Sequence, residues 1–373
     1  MRSTNVTYDM RLIGSFHTMT THGESAAVST FSSRPTSSRV EGTVDGTAPF
    51  CPYHCESMAV NARPIVPSRI ARKALSHGGS RKPRSVVGGF VALTKPRIIE
   101  LLLVTTVPTM VLAQQGWPST ALVVVTLVGG ALAAGGANAL NMVIDRDIDK
   151  LMERTKNRPL VTGLVTPRQA IIFAWTLEVV AFAVLWAGAN LLSAVLTFSA
   201  TLFYVVVYSL WLKRTSRQNI VIGGAAGAVP VLVGWSAVTN SVSWSAAVLF
   251  ALIFLWTPPH FWALAIRHAD DYLAAKVPML PTVVPMERTI RSMYVYTVTL
   301  VTTSLILTPV ANLGAIYWVS AFVLGGGFLA GVEFLRRRPT PVTSMRLFSY
   351  SISYITLVFG AMTLDVLVRH GVS

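Results

Sequence analysis

The stretch A-L-V-V-V-T-L-V-G-G-A-L-A-A-G-G-A-N-A-L (121–140) runs directly into N-M-V-I-D-R-D-I-D-K-L-M-E-R-T-K-N-R (141–158). The first part carries no charge and is long enough to cross a bilayer as a helix. On a continuing helix, Asn141, Asp145 and Asp149 stand at i, i+4 and i+8, so they form one polar stripe. Two carboxylates one turn apart repel each other, and the pattern therefore predicts a cation bound beside them.

Mg²⁺ is the cation that this pattern indicates. It takes one or two carboxylates and completes its coordination shell with water and phosphate oxygens. A basic stripe lies one residue on from the acidic one and would hold the rest of a phosphorylated ligand. The alternative is a solvated, salt-bridged helix end without a ligand, and this stretch by itself leaves both interpretations open. The basic stripe consists of Arg146, Lys150, Arg154 and Arg158.

The composition of the whole chain is that of an integral membrane protein. Of its 373 residues, 52% are hydrophobic and only 13% are charged, which is more apolar surface than a soluble domain needs. The net charge of +15 would suit nucleic acid, but beyond residue 90 the Lys and Arg residues fill short gaps between apolar runs. That distribution is the positive-inside pattern, so we expect the lipid bilayer as a partner and no nucleic acid.

Nine apolar runs near the bilayer-spanning length of ~20 residues follow a polar tail. The tail, residues 1–85, is predicted to be disordered because it is rich in Ser, Thr, Arg, Pro and Gly without periodicity. Residues 90–370 are predicted to form one all-α polytopic domain of nine transmembrane helices. The runs lie near 98–116, 120–141, 169–188, 191–212, 219–238, 246–266, 294–312, 314–335 and 347–368.

The basic residues also predict how the chain crosses the membrane. Thirty of the 31 Lys and Arg residues fall in the tail and in alternate gaps, and only Arg369 falls on the opposite side. We therefore expect a multi-pass protein of the cell (plasma) membrane with a cytoplasmic N-terminus and an outside C-terminus. The tail lacks the apolar core of a secretory signal, so the first span is expected to direct insertion. A shorter basic leader begins at Met58, which makes translation from Met58 an alternative to Met1.

A second polar cluster follows the sixth run, in F-L-W-T-P-P-H-F-W (254–262) and R-H-A-D-D-Y-L-A-A-K (267–276). Its two adjacent prolines predict a break or kink whose freed carbonyls line a cavity or are buried in protein. His260, next to them, is either a packing histidine or a site residue. Asp271 offers another carboxylate, and Arg267 offers a phosphate contact.

Lys213 and Arg214, in the fourth gap, bring a third set of polar groups to the same cytoplasmic side. The three gaps together suit the anionic, metal-bound head group of a ligand, and the apolar spans would enclose its hydrocarbon tail. Two acids, Glu100 and Glu178, lie inside spans, where a charge is costly and usually faces an interior cavity. Glu100 is a candidate for either a structural partner of a basic residue or a site residue, and Glu178 for a structural one.

Six ordered blocks of the chain resemble the UbiA-type intramembrane prenyltransferases and, more specifically, the protoheme IX farnesyltransferases. The resemblance covers roughly residues 90–370 and leaves the tail outside. It implies a fold of nine transmembrane helices around a central cavity open to the cytoplasmic side. The blocks are T-K-P-R (94–97), D-R-D-I-D-K-L-M-E-R-T (145–155), R-P-L-V-T-G (158–163), L-K-R-T-S (212–216), P-P-H-F (258–261) and D-Y-L-A-A (271–275).

The resemblance also implies a reaction. A farnesyl group would pass from farnesyl diphosphate to the vinyl group of haem B, with addition of water, giving haem O and diphosphate for terminal oxidases. A downstream haem A synthase or an oxidase assembly factor is then an expected partner. The expected cofactor is Mg²⁺, and haem B is a substrate. The expected site comprises Asn141, Asp145, Asp149 and Asp271 for catalysis, with the three aspartates also as metal ligands, Arg154, Lys213, Arg214 and Arg267 for the diphosphate, and His260 for the haem.

One position departs from the wider superfamily, in which a second D-x-x-x-D is common. Ala275 stands four residues after Asp271, as in the haem-specific branch. The number of metal ions, one or two, is therefore left open.

Two rival functions share these features. A quinone-precursor prenyltransferase would take an aromatic acid in place of a porphyrin, and labelled farnesyl diphosphate supplied with each acceptor would discriminate between the two. A secondary transporter for an anionic substrate would also use broken helices and intramembrane polar groups. Transporter sites lie near the midplane, however, whereas these carboxylates cluster at the cytoplasmic boundary.

Overall fold

The computed structural model describes residues 85–371, apart from the side chains of residues 97–103, and this part of the chain is helical without a strand. The predicted disordered tail, the alternative start at Met58 and the side chain of Glu100 lie outside the described residues. The helices are α1 (Val86–Thr94), α2 (Pro96–Gln114), α3 (Thr120–Ile144), α4 (Arg146–Asp149), α5 (Pro159–Thr162), α6 (Pro167–Gly188), α7 (Leu191–Thr215), α8 (Asn219–Thr239), α9 (Trp244–Arg267), α10 (Ala269–Ala274), α11 (Leu280–Val283), α12 (Met286–Val310), α13 (Ala315–Arg337) and α14 (Pro341–His370).

Eight of the described helices are long and apolar enough to cross a membrane, namely α3, α6, α7, α8, α9, α12, α13 and α14. The protein is therefore a multi-pass membrane protein, as its composition predicts. Helix α2 has 19 residues, or about 28 Å at the α-helical rise, and it covers the first predicted run. The all-helical fold is confirmed, and the count of nine spans stays a prediction.

The long helices contact one another in chain order. Helix α2 packs on α3, α3 on α6, α6 on α7, α7 on α8, and α8 on α9. The contacts continue through α12 and α13 to α14, which returns to α2 and closes the circuit. Large side chains fill the half bounded by α9, α12, α13 and α14, as with Trp256, Phe328 and Tyr354. The other half, between α2, α3, α7, α8 and α9, encloses a cavity.

Small residues let α3 and α6 approach closely, as the Gly and Ala runs of the sequence predict. A Cβ atom on Gly136 would lie 2.9 Å from the carbonyl oxygen of Ala174 and 2.7 Å from Oε1 of Glu178. No side chain fits in that gap, so glycine is required where these two helices meet.

Of the break or kink predicted at Pro258-Pro259, the break is wrong, and the kink stays a prediction. Helix α9 runs without interruption from Trp244 to Arg267 and contains both prolines. Each proline removes one backbone donor, but both are buried among neighbouring helices, and tertiary packing can hold a helix through such a site. Thr257 adds a side-chain hydrogen bond to the helix backbone next to the prolines, because its Oγ1 donates to the carbonyl of Ile253 at 2.8 Å.

The end of α14 is fastened to the start of α13 by Asp365. This carboxylate is fully buried, and its oxygens accept the backbone N–H groups of Gly314 at 2.6 Å and Tyr317 at 3.4 Å. Arg369 lies 3.9 Å from the same carboxylate. An anion at a helix N-terminus satisfies donors that have no partner inside the helix, so Asp365 caps α13 from another helix.

We expect Asp365→Ala to destabilise the fold by about 1–3 kcal/mol, because it leaves buried backbone donors without an acceptor. The measurement is the thermal unfolding midpoint of the protein purified in detergent. Glu333→Ala is the control, since among the described residues Glu333 pairs only with the exposed side chains of Arg336 and Arg337 and its loss should change the midpoint little. Equal midpoints for the two variants would show that the cap does not stabilise the fold.

Candidate active site

One cavity of about 1150 Å³ lies between α2, α3, α7, α8 and α9. Much of its wall consists of small residues, including Gly130, Ala133, Gly224 and Gly227. Polar and charged side chains gather where α3 and α7 end. The cavity therefore combines a charged mouth with an apolar interior, as expected for a ligand with an anionic head and a hydrocarbon tail.

The acidic stripe is almost continuous but does not lie on one uninterrupted helix. Helix α3 ends at Ile144, and Asp145 separates it from the single turn α4, which ends at Asp149. The four-residue spacing survives this interruption. The backbone N–H of Asp149 still bonds the carbonyl of Asp145 at 2.8 Å, and Asn141 Nδ2 donates to Asp145 Oδ2 at 2.8 Å.

Asp145 is fully buried directly behind the cavity wall. Its Oδ2 accepts hydrogen bonds from Nζ of Lys213 and from the Asn141 amide. Its Oδ1 is buried and has no hydrogen-bond partner among the described residues. A buried anionic oxygen without a donor is unfavourable. A divalent cation would satisfy it, so the residues present fit a metal ion at this position.

Asp149 faces the cavity and has a partner that the predicted site did not include. Arg158 Nη1 donates to Asp149 Oδ2 at 2.6 Å, and both residues line the cavity. Thr155 Oγ1 donates to the backbone carbonyl of Asp149 at 2.9 Å and fixes the loop that carries Arg158. The i, i+4 pattern contained Arg158 as the last member of the basic stripe, but spacing did not show which member turns inward.

A π-helical segment of α7, Phe203–Leu212, brings three polar groups to the cavity side. Tyr204 and Lys213 are nine residues apart, which is two and a half turns of an α-helix and would place them on opposite faces. The wider π turn, with bonds from i to i+5, makes nine residues about two turns. Both residues consequently line the cavity. Ser209, between them, donates to the Tyr204 carbonyl at 2.9 Å and accepts Asn141 Nδ2 at 3.0 Å.

Lys95 is a site residue that reasoning from spacing missed. It joins α1 to α2 in a left-handed conformation, and its Nζ donates to Oδ1 of Asn141 at 3.1 Å. Burial lowers the pKa of Lys95 well below its usual value, and the neighbouring Arg158 and Lys213 lower it further. The available signal was the T-K-P-R block at 94–97, which marked this lysine without giving it a role.

Arg214 and Arg267, predicted for the diphosphate, do not line the described part of the cavity. The Arg214 guanidinium binds both oxygens of Asp147, at 2.7 and 2.6 Å, and the carbonyl of Ile144 at 2.8 Å. Its hydrogen bond to Asp147 lowers the pKa of that carboxyl to about 2. Arg214 thus fixes the end of α3 and the start of α4. Arg154, by contrast, lines the cavity as expected.

Asp271 is not brought into one cluster with Asp145 and Asp149. Its Oδ1 accepts the backbone N–H of Glu153 at 3.1 Å, so it holds the loop beside the mouth, and the adjacent Tyr272 lines the cavity. No three acidic, His or Cys side chains of the described residues lie close enough to hold one metal ion. A metal-binding role for Asp271 stays a prediction.

His260 lies on the α14 side of α9, in the packed half of the molecule. Its ring is stacked between Trp256 and Phe348, with centroids 4.2 and 4.5 Å away, and its Nδ1 lies 2.7 Å from Oγ of Ser351. The described cavity wall contains Trp256 and Phe261 but not His260. This geometry is that of a packing histidine, and a haem-facing role for His260 stays a prediction.

Glu178, expected to be structural, lies behind the cavity wall. It is buried and accepts Oγ1 of Thr201, which itself lines the cavity, at 3.1 Å.

Comparison with known proteins identifies relatives of the whole membrane domain. The model of the UbiA prenyltransferase family matches residues 102–357. A protoheme IX farnesyltransferase of Pseudarthrobacter chlorophenolicus is 51% identical over 300 residues, which cover 79% of this chain and 93% of the relative. The protoheme IX farnesyltransferase of Streptomyces avermitilis is 50% identical over 300 residues, covering 79% and 98%.

Solved structures share the fold at low sequence identity. A digeranylgeranylglyceryl phosphate synthase superposes with a TM-score of 0.63 and 14% identity, over 76% of this chain and 99% of its own. A UbiA homolog from Archaeoglobus fulgidus, bound to GPP and Mg²⁺, superposes with a TM-score of 0.53 and 18% identity, over 74% and 99%.

We expect Lys213→Met to destabilise the protein by about 3 kcal/mol, because it leaves the buried Asp145 carboxylate without its counter-charge. Adding Asp145→Asn should restore most of that loss. The thermal unfolding midpoint in detergent, without added divalent cation, measures both effects.

Arg214→Met is the matched control for this pair. Arg214 and Asp147 are 34% and 63% exposed at the side chain, against 15% and 0% for Lys213 and Asp145. Solvent screens the exposed pair, so Arg214→Met should cost less. A double variant no more stable than Lys213→Met would contradict the pairing.

Proposed function

The chain belongs to the UbiA prenyltransferase family and, within it, to the protoheme IX farnesyltransferases, and on this premise we propose that it converts haem B to haem O. It is an enzyme of the prenyltransferase class. In the proposed reaction, the farnesyl group of farnesyl diphosphate joins the vinyl group of haem B, water is added, and diphosphate leaves. One observation supports this most: two carboxylates paired with basic side chains lie at one end of an apolar cavity, Asp149 lining it and Asp145 buried directly behind its wall.

The residues at the mouth must neutralise the negative charge of the diphosphate leaving group. Cleavage of an allylic diphosphate puts negative charge on the departing oxygens and positive charge on the prenyl carbon. Asp145 and Asp149 would hold Mg²⁺, with Asp271 as a further candidate, and the ion when bound neutralises the diphosphate. The unpartnered Oδ1 of Asp145 supports this assignment, as does the Mg²⁺ carried by the Archaeoglobus fulgidus homolog.

The basic side chains of the mouth would bind the remaining diphosphate oxygens. Lys95, Arg158 and Lys213 surround Asn141 and the two carboxylates, and Arg154 lines the same cavity. Hydrogen bonds from charged donors such as Arg158 and Lys213 are stronger than those between neutral groups, and phosphate oxygens are good acceptors of them. Asn141 holds this cluster together, because its amide accepts from Lys95 and donates to Asp145 and Ser209. Direct binding by Arg214 or Arg267 remains a proposal from the sequence alone.

The cavity wall would protect the cationic prenyl group. Tyr204 and Tyr208 are stacked, with ring centroids 5.3 Å apart, and both line the cavity near the mouth. Aromatic faces stabilise a nearby cation, and the small apolar residues deeper in the wall exclude water. The electron-rich vinyl group then attacks the allylic carbon, water adds to the resulting positive centre, and the proton that the water loses passes to the released diphosphate. No nucleophile from the protein is needed.

The setting of the reaction is part of the proposal. The mouth carries the basic residues that the positive-inside rule assigns to the cytoplasm. We therefore place it on the inner face of the plasma membrane, with the N-terminus cytoplasmic and the C-terminus outside. Haem O would pass to a downstream haem A synthase or an oxidase assembly factor.

Asp145→Ala and Asp149→Ala should each leave folded protein in the membrane and lower prenyl transfer by orders of magnitude, because each removes a ligand of the cation. The assay supplies labelled farnesyl diphosphate with haem B and, separately, with an aromatic acid, and identifies the products by mass spectrometry. Glu333→Ala is the control, since Glu333 lies on α13, does not line the described cavity and pairs with the exposed side chains of Arg336 and Arg337. Near-normal haem O from either site variant, or transfer only to the aromatic acid, would refute the assignment.

Removal of divalent cations with EDTA should abolish diphosphate release by the purified wild-type protein, and added Mg²⁺ should restore it. Release of diphosphate that continues unchanged in EDTA would contradict a metal-dependent leaving group. Uptake of an anionic substrate into vesicles without diphosphate release would instead favour a transporter.

A further inference from the structure

Helix α8 lines the cavity along its depth. Its lining residues recur every three or four positions from Ile220, beside the mouth, to Val233. These thirteen residues correspond to about 20 Å at the α-helical rise. The mouth end is fixed by Asn219, whose Nδ2 donates to the carbonyl of Lys213 at 3.5 Å. The distance of a point in the cavity from the mouth therefore corresponds to a residue position along α8.

The length of an isoprenoid can be compared with this scale. An extended isoprene unit adds four carbon–carbon bonds, or roughly 5 Å at bond lengths near 1.5 Å. Three units then reach about 15 Å from a diphosphate held at the level of Lys213. Gly227 lies seven residues beyond Ile220, about 10 Å deeper by the helical rise. The third isoprene unit would pass Gly227.

Gly227 has no structural reason to be a glycine. A Cβ atom built on it meets no atom of the described residues within 4 Å, and its backbone is ordinary α-helix rather than left-handed. The neighbouring glycines differ, because a Cβ on Gly223 would lie 2.3 Å from the ring of Tyr208, and one on Gly224 would lie 2.8 Å from Cγ2 of Thr257. Glycine inside a helix is less stable than alanine by about 0.5–1 kcal/mol. Neither packing among the described residues nor backbone conformation explains this cost at Gly227, which lines the cavity.

We propose that Gly227 determines the length of the prenyl chain that the cavity accepts, by leaving space for a third isoprene unit. This inference rests on the proposed function, in that it takes the cavity to hold a prenyl diphosphate. A Cβ atom at Gly227 meets no described atom within 4 Å, so a larger side chain there would take up space in the cavity that Gly227 lines. It shortens the space for the tail and leaves the charged mouth unchanged.

The test is the binding of dimethylallyl, geranyl and farnesyl diphosphate, each with Mg²⁺, to the full-length protein in detergent, without haem. Isothermal titration measures the affinities for wild type, Gly227→Ala and Gly227→Leu. Gly227→Leu should weaken the binding of farnesyl diphosphate at least tenfold. Its affinities for geranyl and dimethylallyl diphosphate should stay within about threefold of those of the wild type. Gly227→Ala should have a smaller effect in the same direction.

Gly326→Leu is the matched control. Gly326 also lies inside a long helix, is exposed, and would offer a Cβ no neighbour within 4 Å among the described residues, but it is on α13, away from the cavity. This variant should bind all three diphosphates like wild type.

Each outcome has one consequence. A selective loss of affinity for farnesyl diphosphate in Gly227→Leu, but not in Gly326→Leu, supports the proposal. If the wild type also fails to prenylate haem B, only the proposed acceptor is overturned. Equal weakening of all three ligands, or no weakening, overturns the role of Gly227 while haem O formation by the wild type still stands. Failure of the wild type to bind any prenyl diphosphate overturns both.

Discussion

The buried ion pair between Asp145 and Lys213 is the interaction on which the site depends. A carboxylate with no solvent exposure needs a counter-charge, and here that charge comes from a helix 68 residues further along the chain. Asn141 extends the pair to Lys95 and Ser209, and Asn219 contacts the backbone of Lys213. Four segments of the chain are therefore connected to one carboxylate, two through the direct contacts of Asn141 and Lys213 and two through the partners of those residues.

The rest of the molecule divides into a packed half and an open half. Large aromatic side chains fill the space between α9, α12, α13 and α14, where His260 is held between two rings. Small residues on α3 and α8 have two different consequences in the other half. Gly136 and Gly223 allow elements to touch, whereas Gly227 leaves space. The cavity lies among helices that the first kind of position allows to approach, and Gly227, of the second kind, lines it.

Charge and backbone geometry cooperate at the mouth. A regular α-helix through Phe203–Leu212 would turn Tyr204 and Lys213 to opposite sides, and the π-helical turns bring them to one side. Nearby, Arg214 binds Asp147 and the last carbonyl of α3, so it stabilises the turn between α3 and α4. A basic residue at this mouth therefore has one of two positions: it lines the cavity, as Arg158 and Lys213 do, or it holds the neighbouring turn, as Arg214 does.

The sequence by itself determined the helical membrane fold, through its hydropathy, and the family, through six ordered blocks of residues. It also indicated Asn141, Asp145 and Asp149 as candidate site residues, because i, i+4 spacing is a property of one continuous segment. Only the tertiary structure showed that Lys95 and Arg158 belong to the site, and that α9 continues through its prolines. In that structure His260 lies in the packed half, and Asp271 holds a loop through the backbone N–H of Glu153. These facts depend on which helix faces turn toward each other, and on pairings between residues far apart in the chain. Local periodicity carries no record of such pairings, because each requires another helix to be in place.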